Sequence, residues 1–294
     1  MKGNTLLLVN PVSGKGYGRK KLFDIVERLT CGGCRVTVMP TLPAGATEKL
    51  IAAEGGNYEL IIAAGGDGTL NHVASGIVGS GLTTALGYIP LGSTNDFAAS
   101  LGIPSKLSDA CDRILERDPA PIDIGVFGDR RFVYIACTGI FADTSYETPQ
   151  QVKNLLGHNA YILHSVASLT ANHRTRCRVD ADGEIIEGEF ILISVSNSLR
   201  AGGVFKLPDG YVSFDDGIFE LILVPAPKNI IASTTMLNKI ITKSVTDDPF
   251  IHRKVSRARF EFESGQAWTL DGEYGGTVTS IDIGVDKRSL NFIR

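Results

Sequence analysis

The sequence predicts a protein of two domains, an N-terminal α/β domain built on a parallel sheet and a C-terminal antiparallel β-sandwich. In residues 1–121, short apolar runs alternate with helical patterns, which is typical of a parallel sheet. Asp118-Pro119-Ala120-Pro121 closes this region, and proline-rich segments often mark domain boundaries. In residues 122–285, short apolar strands are separated by turn residues, as in antiparallel sandwiches. We expect the last residues, about 286–294, to return to the first domain.

The composition is that of an ordinary globular protein. The chain has 294 residues, 43% of them hydrophobic and 21% charged, with a net charge of −3. There is therefore no basic excess of the kind that favours nucleic acid. The N-terminus has no signal-peptide pattern, and no apolar run approaches the ~20 residues that cross a bilayer. We expect a cytoplasmic protein that does not bind nucleic acid. Cys31-Gly-Gly-Cys34 is interpreted as a turn, because no second Cys/His pair follows at zinc spacing.

The first strand, Leu6 to Val9, ends in the glycine-rich stretch Asn10 to Gly18, which we interpret as a loop. It is not a Walker A loop, because its first glycine is missing and no Ser or Thr follows Lys15. A basic helix with Arg19 and Lys20 comes next. Phosphate contact and a flexible loop with a solvated lysine are equally compatible with this stretch.

The third strand leads into Gly65-Gly66-Asp67-Gly68-Thr69-Leu70-Asn71, directly before a helical pattern. The second strand, Arg35 to Met39, delivers Thr41 to the same sheet edge. A glycine-rich turn at a helix N-terminus presents backbone N–H groups to a phosphate. The Asp67 carboxylate adds a ligand for Mg²⁺. The alternative is an ordinary strand-to-helix turn in which Asp67 caps the helix.

The fourth strand, Ala85 to Ile89, runs into Pro90-Leu91-Gly92-Ser93-Thr94-Asn95-Asp96-Phe97-Ala98. Ligands of parallel sheets bind beyond the carboxyl ends of the strands. Asp67 and Asp96 are therefore expected to flank one pocket, where they could share an ATP-bound Mg²⁺.

The second region begins with a predicted hairpin, Ile122 to Phe127 and Arg131 to Cys137, turning at Gly128-Asp129. Apolar residues then recur at helical spacing from Thr148 to Thr170. This helix either packs on the sheet or, with the basic residues Arg174 and Arg176 after it, touches a membrane. Further strands are expected at Arg176–Ala181, Glu189–Ser196, Gly217–Val224, Arg257–Glu263, Ala267–Leu270 and Gly276–Ile283.

Asp271-Gly272-Glu273 places two acids around a glycine at the end of the apolar run Trp268 to Leu270. Asp-Gly is a common turn pair. The functional interpretation is a base together with a metal-facing carboxylate, both supplied by the second domain across a cleft.

These motifs together resemble the soluble diacylglycerol kinases and lipid kinases, a family that includes the sphingosine kinases. The resemblance covers nearly the whole chain. It is carried by Asn10-Pro11-x-Ser13-Gly14-Lys15-Gly16, Gly65–Asn71, Pro90–Ala98 and Asp271-Gly272-Glu273, and the middle two motifs are highly specific. Ser145–Pro149 and Leu155–Tyr161 are similar to segments of the bacterial soluble diacylglycerol kinases.

The resemblance implies phosphorylation of diacylglycerol by ATP with Mg²⁺, at a membrane surface that the protein touches without spanning. It implies Asp271 as general base and a structural Mg²⁺ site with the Asp216 carboxylate and the backbone carbonyls of Ser213 and Ile218. Ser93 stands where many members have threonine. Residues implied to bind ATP are Asn10, Thr41, Gly65, Gly66, Asp67, Gly68, Thr69, Asn71, Ser93 and Glu273; Lys15, Arg19 and Lys20 are candidates for membrane contact.

Three alternatives stay open. The first is a kinase of another lipid alcohol, such as a long-chain base or another glycerolipid. The second is an NAD kinase, which shares the Gly-Gly-Asp-Gly-Thr loop but is disfavoured by Pro90–Ala98. The third is a nucleotide-binding protein without catalysis. The complete set of acids, Asp67, Asp96, Asp271 and Glu273, disfavours it, because degenerate kinases tend to lose such groups. A homodimer is also expected, because sandwich edges often pair.

Overall fold

The structure, a computed structural model, describes residues 3–43, 45–116, 118–139, 174–201, 205–208, 210–227 and 248–294. The helix predicted from Thr148 to Thr170 lies outside these residues, as do the family-like segments Ser145–Pro149 and Leu155–Tyr161. Within the described part the protein is of mixed α/β class and rich in strands, as its sequence predicts.

The N-terminal part alternates strands and helices. Its elements are β1 (Asn4–Val9), α1 (Ser13–Cys31), β2 (Arg35–Pro40), α2 (Ala46–Glu54), β3 (Leu60–Gly65), α3 (Asp67–Gly79), β4 (Ala85–Pro90), α4 (Asp96–Ser100) and α5 (Leu107–Glu116). The four strands pair in parallel in the order β2-β1-β3-β4. All six residues of β3 are buried, as expected of a strand covered by helices on both faces.

The remaining elements are almost all strands. They are β5 (Pro119–Phe127), β6 (Arg130–Phe132), β7 (Ile135–Gly139), β8 (Thr175–Ala181), β9 (Glu184–Ser196), β10 (Arg200–Ala201), β11 (Phe205–Lys206), β12 (Phe219–Pro225), β13 (Ile251–Val255), β14 (Arg257–Leu270) and β15 (Glu273–Ile293). The hairpin predicted at Gly128-Asp129 forms between β5 and β6. Its second strand, expected over Arg131 to Cys137, is instead two strands, because β6 ends at Phe132 and β7 begins at Ile135 and pairs with β9 and β14. Along one edge, the long strand β14 pairs with two strands in turn, with β8 near Phe260 and with β7 near Thr269.

Three further predicted boundaries are corrected. The strands expected at Arg257–Glu263 and Ala267–Leu270 are one strand, β14, whose register shifts between Glu261 and Gln266. The irregularity that suggested a turn is therefore a bulge, which bends a strand without ending it. The strand expected at Gly276–Ile283 extends over Glu273–Ile293 as β15.

The third correction concerns the glycine-rich stretch after β1. It belongs to the first turns of α1, which begins at Ser13. Gly14 and Gly16 have φ values of +57° and +84°, which glycine adopts at no steric cost. Glycines that suggested a loop instead shape an irregular helix start.

Strand β15 connects the two parts of the sheet. It pairs antiparallel with β14 and β5, and its Phe292 pairs in parallel with Leu86 of β4. The Phe97 ring of α4 lies 5.9 Å from the Phe292 ring and 6.1 Å from the Tyr134 ring. Phe97 and Phe292 are fully buried, so α4 and β15 share an aromatic core where the two parts of the sheet join.

Candidate active site

Two glycine loops lie side by side at the carboxyl ends of β3 and β4. The Leu91 N–H donates to the Gly65 carbonyl over 2.7 Å. A Cβ on Gly92 would lie 2.6 Å from the Gly66 Cα, and a Cβ on Gly65 would lie 2.4 Å from the Thr69 Oγ1. A larger residue at Gly92 would push the two loops apart, and one at Gly65 would collide with Thr69 within the first loop.

Side chains join these loops to the end of β1. The Asn10 Nδ2 donates to the Thr69 Oγ1 over 3.1 Å, and the Asn10 Oδ1 accepts the Val12 N–H. The Thr41 N–H donates to the Val9 carbonyl over 2.9 Å. Asn10, Thr41 and Thr69 thus gather at one sheet edge, as the sequence predicts from their positions after strands. Ser93 lies exposed on the second loop.

Asp67 begins α3 and faces the second loop. Its Oδ2 accepts the Asp96 N–H over 3.3 Å. Its Oδ1 is buried and has no hydrogen-bond partner. Burial, followed by the neighbouring Asp271 and Asp96 carboxylates, raises the pKa of Asp67 to about 7. A buried carboxylate oxygen without a donor, among like charges, is a ready ligand for a cation.

Asp271 occupies the turn between β14 and β15 and is 3% exposed. Its Oδ1 accepts the N–H groups of Tyr134 and Ile135, both over 3.0 Å. Its Oδ2 accepts the Val133 N–H and the Asn71 Nδ2, both over 2.6 Å. Burial raises the pKa of Asp271, while these four donors favour its charged form. The donors fix both the position and the orientation of the carboxylate.

Asn71, which the family resemblance implies to bind ATP, makes its side-chain contacts with the second part of the protein. Its amide nitrogen donates to Asp271 and, over 3.1 Å, to the Arg131 carbonyl. Helix α3 therefore begins in the first glycine loop, and one turn later its Asn71 side chain contacts the candidate base, Asp271.

Glu273 approaches the same helix from the start of β15. A Cβ on Gly68 would lie 2.2 Å from the Glu273 Oε1, so the glycine makes room for this carboxylate. The other oxygen of Glu273 lies 3.1 Å from the His72 Nε2. The opposite ring nitrogen of His72 lies 2.6 Å from the Glu48 Oε1 of α2. One imidazole therefore joins two carboxylates from different elements.

Two cavities meet at Gly272 and Glu273, which line both. One, of about 450 Å³, is lined by both glycine loops, with Asp67, Asp96, Tyr134 and Asp271. The other, of about 800 Å³, is lined by Asn10, Thr41, Leu42, Pro43, Gly45, Glu48, Thr69, His72, Arg130 and Tyr274. A larger ligand could extend from the acidic cavity into the second one.

The acidic cavity suits a hard divalent cation. No group of three or more His, Cys, Asp or Glu side chains in the described residues forms a complete metal cage. Mg²⁺ is commonly held by one or two carboxylates together with substrate phosphates and water. Asp67, with its unpartnered oxygen, and Asp96 beside it match that requirement.

The second candidate metal site lies in the turn before β12. The Asp216 Oδ1 accepts the Ile218 N–H over 3.0 Å. The buried Asp123 carboxylate accepts the Gly217 N–H over 2.6 Å and the Arg288 N–H over 2.7 Å. Asp215 and Asp216 lie close enough to act on Asp123, although its burial is the first cause of its raised pKa.

The basic residues expected to contact a membrane differ in their surroundings. Arg19 and Lys20 are exposed on α1, whereas the side chain of Lys15 lies outside the described part. Arg174 and Arg176 pair with Glu189 and Glu263 over 3.4 and 3.2 Å.

Sequence reasoning missed His72, Glu48, Tyr134 and Asp123. Asp123 left a signal, a charged residue inside the apolar run Ile122 to Phe127. His72 and Glu48 left none, because 24 positions of sequence separate them.

The chain is similar to diacylglycerol kinases over most of its length. Residues 4–127 match the family model described as the diacylglycerol kinase catalytic domain. The chain is 34% identical to the diacylglycerol kinase of Bacillus subtilis (strain 168) over 275 residues, 92% of this chain and 89% of that protein. It is 33% identical to that of Staphylococcus aureus (strain JH9) over 283 residues, 94% of this chain and 88% of that protein.

The fold is also similar to a solved structure. The crystal structure of a diacylglycerol kinase from Bacillus anthracis str. Sterne aligns with a TM-score of 0.80 at 24% identity, covering 100% of this chain and 98% of that one. None of the helices in the described ranges is both long and apolar enough to cross a membrane.

Proposed function

This chain belongs to the diacylglycerol kinase family, and from that premise we propose that it transfers the γ-phosphate of ATP to the primary hydroxyl of diacylglycerol, forming phosphatidic acid. Membership in the family makes it a kinase, whereas the roles of individual residues are part of the proposal. One observation carries them: the fixed, buried Asp271 carboxylate lines the same cavity as two glycine loops and Asp67.

In this proposal the glycine loops hold the phosphates of ATP. Backbone N–H groups at the N-terminus of α3, together with the helix dipole, favour a bound anion. Gly65, Gly66 and Gly68 let the phosphates approach the backbone. Asn10 and Thr69 brace the loop from β1, while Thr41, Ser93 and Glu273 line the path of the rest of the nucleotide.

Asp67 and Asp96 would hold a magnesium ion against those phosphates. When bound, Mg²⁺ neutralises the charge that the phosphates bring to an already acidic cavity. The unpartnered Asp67 Oδ1 supports this assignment. A separate structural Mg²⁺ is proposed at Ser213, Asp216 and Ile218, where the buried Asp123 lies nearby.

Asp271 acts as the general base. The lipid hydroxyl oxygen attacks the γ-phosphorus while its proton passes to the Asp271 carboxylate, the bond to the bridging β–γ oxygen breaks, and ADP leaves. Each oxygen of Asp271 already accepts two hydrogen bonds. The hydroxyl must therefore displace one donor, and Asn71 is the one that belongs to a movable side chain.

We assign ATP to residues 1–121 and the lipid to residues 122–285, with residues 286–294 returning to the first part. The pairing of Phe292 with Leu86 supports that return. A lipid substrate requires contact with a membrane surface. Lys15, Arg19 and Lys20 would supply attraction to anionic lipid, about 1 kcal/mol for each basic residue near the surface. Exposed Arg19 and Lys20 support this more than the paired Arg174 and Arg176.

The test is transfer of labelled phosphate from ATP, with Mg²⁺, to diacylglycerol, sphingosine, monoacylglycerol and NAD offered separately, the lipids in mixed micelles. Label in phosphatidic acid that is lost in Asp271→Asn supports both the reaction and the base. Label in a different lipid would show that this lipid, and not diacylglycerol, is the substrate. Label only in NADP would contradict the proposal that the protein is a lipid kinase. Binding of ATP without any transfer favours the non-catalytic alternative.

A further inference from the structure

The Glu48–His72–Glu273 bridge has no part in the phosphate transfer proposed above, yet it ends on Glu273, which lines both cavities of the cleft. His72 lies on α3, Glu48 on α2 and Glu273 at the start of β15. The two contacts are 2.6 and 3.1 Å long. The three side chains are about half-buried or more, with 30%, 28% and 52% exposure for His72, Glu48 and Glu273.

The backbone is arranged to allow the first contact. Gly76 lies one turn after His72, and a Cβ there would lie 3.0 Å from the Ile51 Cβ and 3.2 Å from the Glu48 Cα. Helix α2 therefore packs closely on α3, which brings the Glu48 carboxylate within reach of the imidazole. The Glu48 Oε2 is buried and has no hydrogen-bond partner, while the Glu48 Oε1 lies 2.6 Å from the imidazole.

The second contact decides where Glu273 lies. The Glu273 Oε1 lies against Gly68, the last glycine of the first glycine loop, while the His72 imidazole contacts the other oxygen of Glu273. Gly272 and Glu273 form the wall between the two cavities. A displaced Glu273 would change both the loop and the entrance to the larger cavity.

The charges around the imidazole support a lasting bridge. Hydrogen bonds with Glu273 and then Glu48 raise the pKa of His72 to about 10. Both nitrogens of the ring then donate, one to each carboxylate. Arg130 of β6 is the further charged group that acts on both acids, and it lowers their pKa values alongside His72.

We propose that His72 is a positioning residue, which holds the Glu273 carboxylate against the glycine loop by bridging it to Glu48 and thereby sets the affinity for ATP. This inference rests on the proposed binding of ATP in the cleft. It assigns no contact between His72 and the lipid or the transferred phosphate, so the effect is confined to the nucleotide.

The test compares His72→Gln with a matched control. His252→Gln breaks another histidine–carboxylate contact of 2.6 Å, to Glu220 in the pair β12–β13, and neither residue lines the two cavities. We expect His72→Gln to raise both the KM for ATP and the Kd for Mg·AMP-PNP, measured calorimetrically, about tenfold. The kcat and the KM for lipid should stay within about twofold of the wild-type values.

Glu48→Gln is the second variant, in case His72→Gln fails to fold. It should weaken AMP-PNP binding in the same direction. The combined variant should be no weaker than His72→Gln, because Glu48 acts through His72. Nucleotide affinity that changes no more than in His252→Gln would overturn the proposal, as would effects of Glu48→Gln and His72→Gln that simply add. Calorimetry needs no lipid, so weakened AMP-PNP binding in an enzyme that phosphorylates no lipid would support the bridge while overturning the proposed reaction.

Discussion

The Asp67 carboxylate, which we propose to hold Mg²⁺, is costly to ionise in the folded protein because it is buried beside Asp271 and Asp96. In the metal-free protein its pKa of about 7 is above the ordinary aspartate value of 3.8, so the folded state binds this proton more tightly than the unfolded state. The associated stability is fully present below pH 3.8 and is lost as the pH rises through 7. The shift corresponds to on the order of 4 kcal/mol.

Asp67→Asn should therefore stabilise the metal-free protein at pH 8 while weakening the binding of Mg·AMP-PNP. Thermal melts with EDTA, and then with Mg·AMP-PNP, would measure both effects. The wild-type protein should gain stability from the nucleotide and the variant should gain little. An unchanged nucleotide affinity would contradict the metal role of Asp67.

Asp271→Asn tests the residue that accepts four hydrogen bonds. An amide places an NH₂ group against two of the four donors, which leaves buried groups unpaired and costs about 1–3 kcal/mol. We expect a lower melting temperature, no phosphate transfer and retained AMP-PNP binding. Retained binding shows that the lost activity is not unfolding, whereas wild-type turnover would remove Asp271 from its assigned role.

At the scale of elements, the two glycine loops depend on contact between backbones. A Cβ on Gly92 would meet the Gly66 Cα at 2.6 Å, and backbone cannot move aside as a side chain can. Gly92→Ala should cost about 1–3 kcal/mol of stability and weaken AMP-PNP binding.

Gly284→Ala in β15 is the matched control, since a Cβ there meets nothing within 4 Å. It should leave nucleotide binding unchanged. Urea unfolding and calorimetry on both variants would measure the difference. Equal effects of the two substitutions would show that the loops tolerate separation.

At the scale of the whole molecule, β15 and the Phe97–Phe292 contact join the parallel strands to the second part of the sheet. Phe292→Ala removes a fully buried ring and should cost about 3–5 kcal/mol. Because Phe97, which packs on Phe292, directly follows the second glycine loop in the chain, phosphate transfer should fall at temperatures where the variant remains folded. Circular dichroism melts with parallel transfer assays would measure both, and full activity in a destabilised variant would show that the junction supports only the fold.

Sequence patterns alone predicted the mixed α/β class, the alternation of strands and helices in the N-terminal part, and the acids and glycines at the ends of β3 and β4. These features are local: periodicity, turn residues and motif spacing act over a few neighbouring positions. The predictions for the start of α1 and the continuity of β14 were wrong, because glycine permits a loop, a bulge or an irregular helix start equally well.

Contacts between side chains that lie far apart in the chain could be seen only in the folded protein. Asn71 donates a hydrogen bond to Asp271, 200 positions later in the chain. His72 bridges Glu48 and Glu273, and the three residues lie on three different elements. Such contacts depend on strand register and on how closely helices pack, here through Gly76 and Gly68, and no short pattern in the chain encodes them. The sequence thus names the chemistry available at the sheet edge, while the packing of α2, α3 and β15 determines how those groups are held.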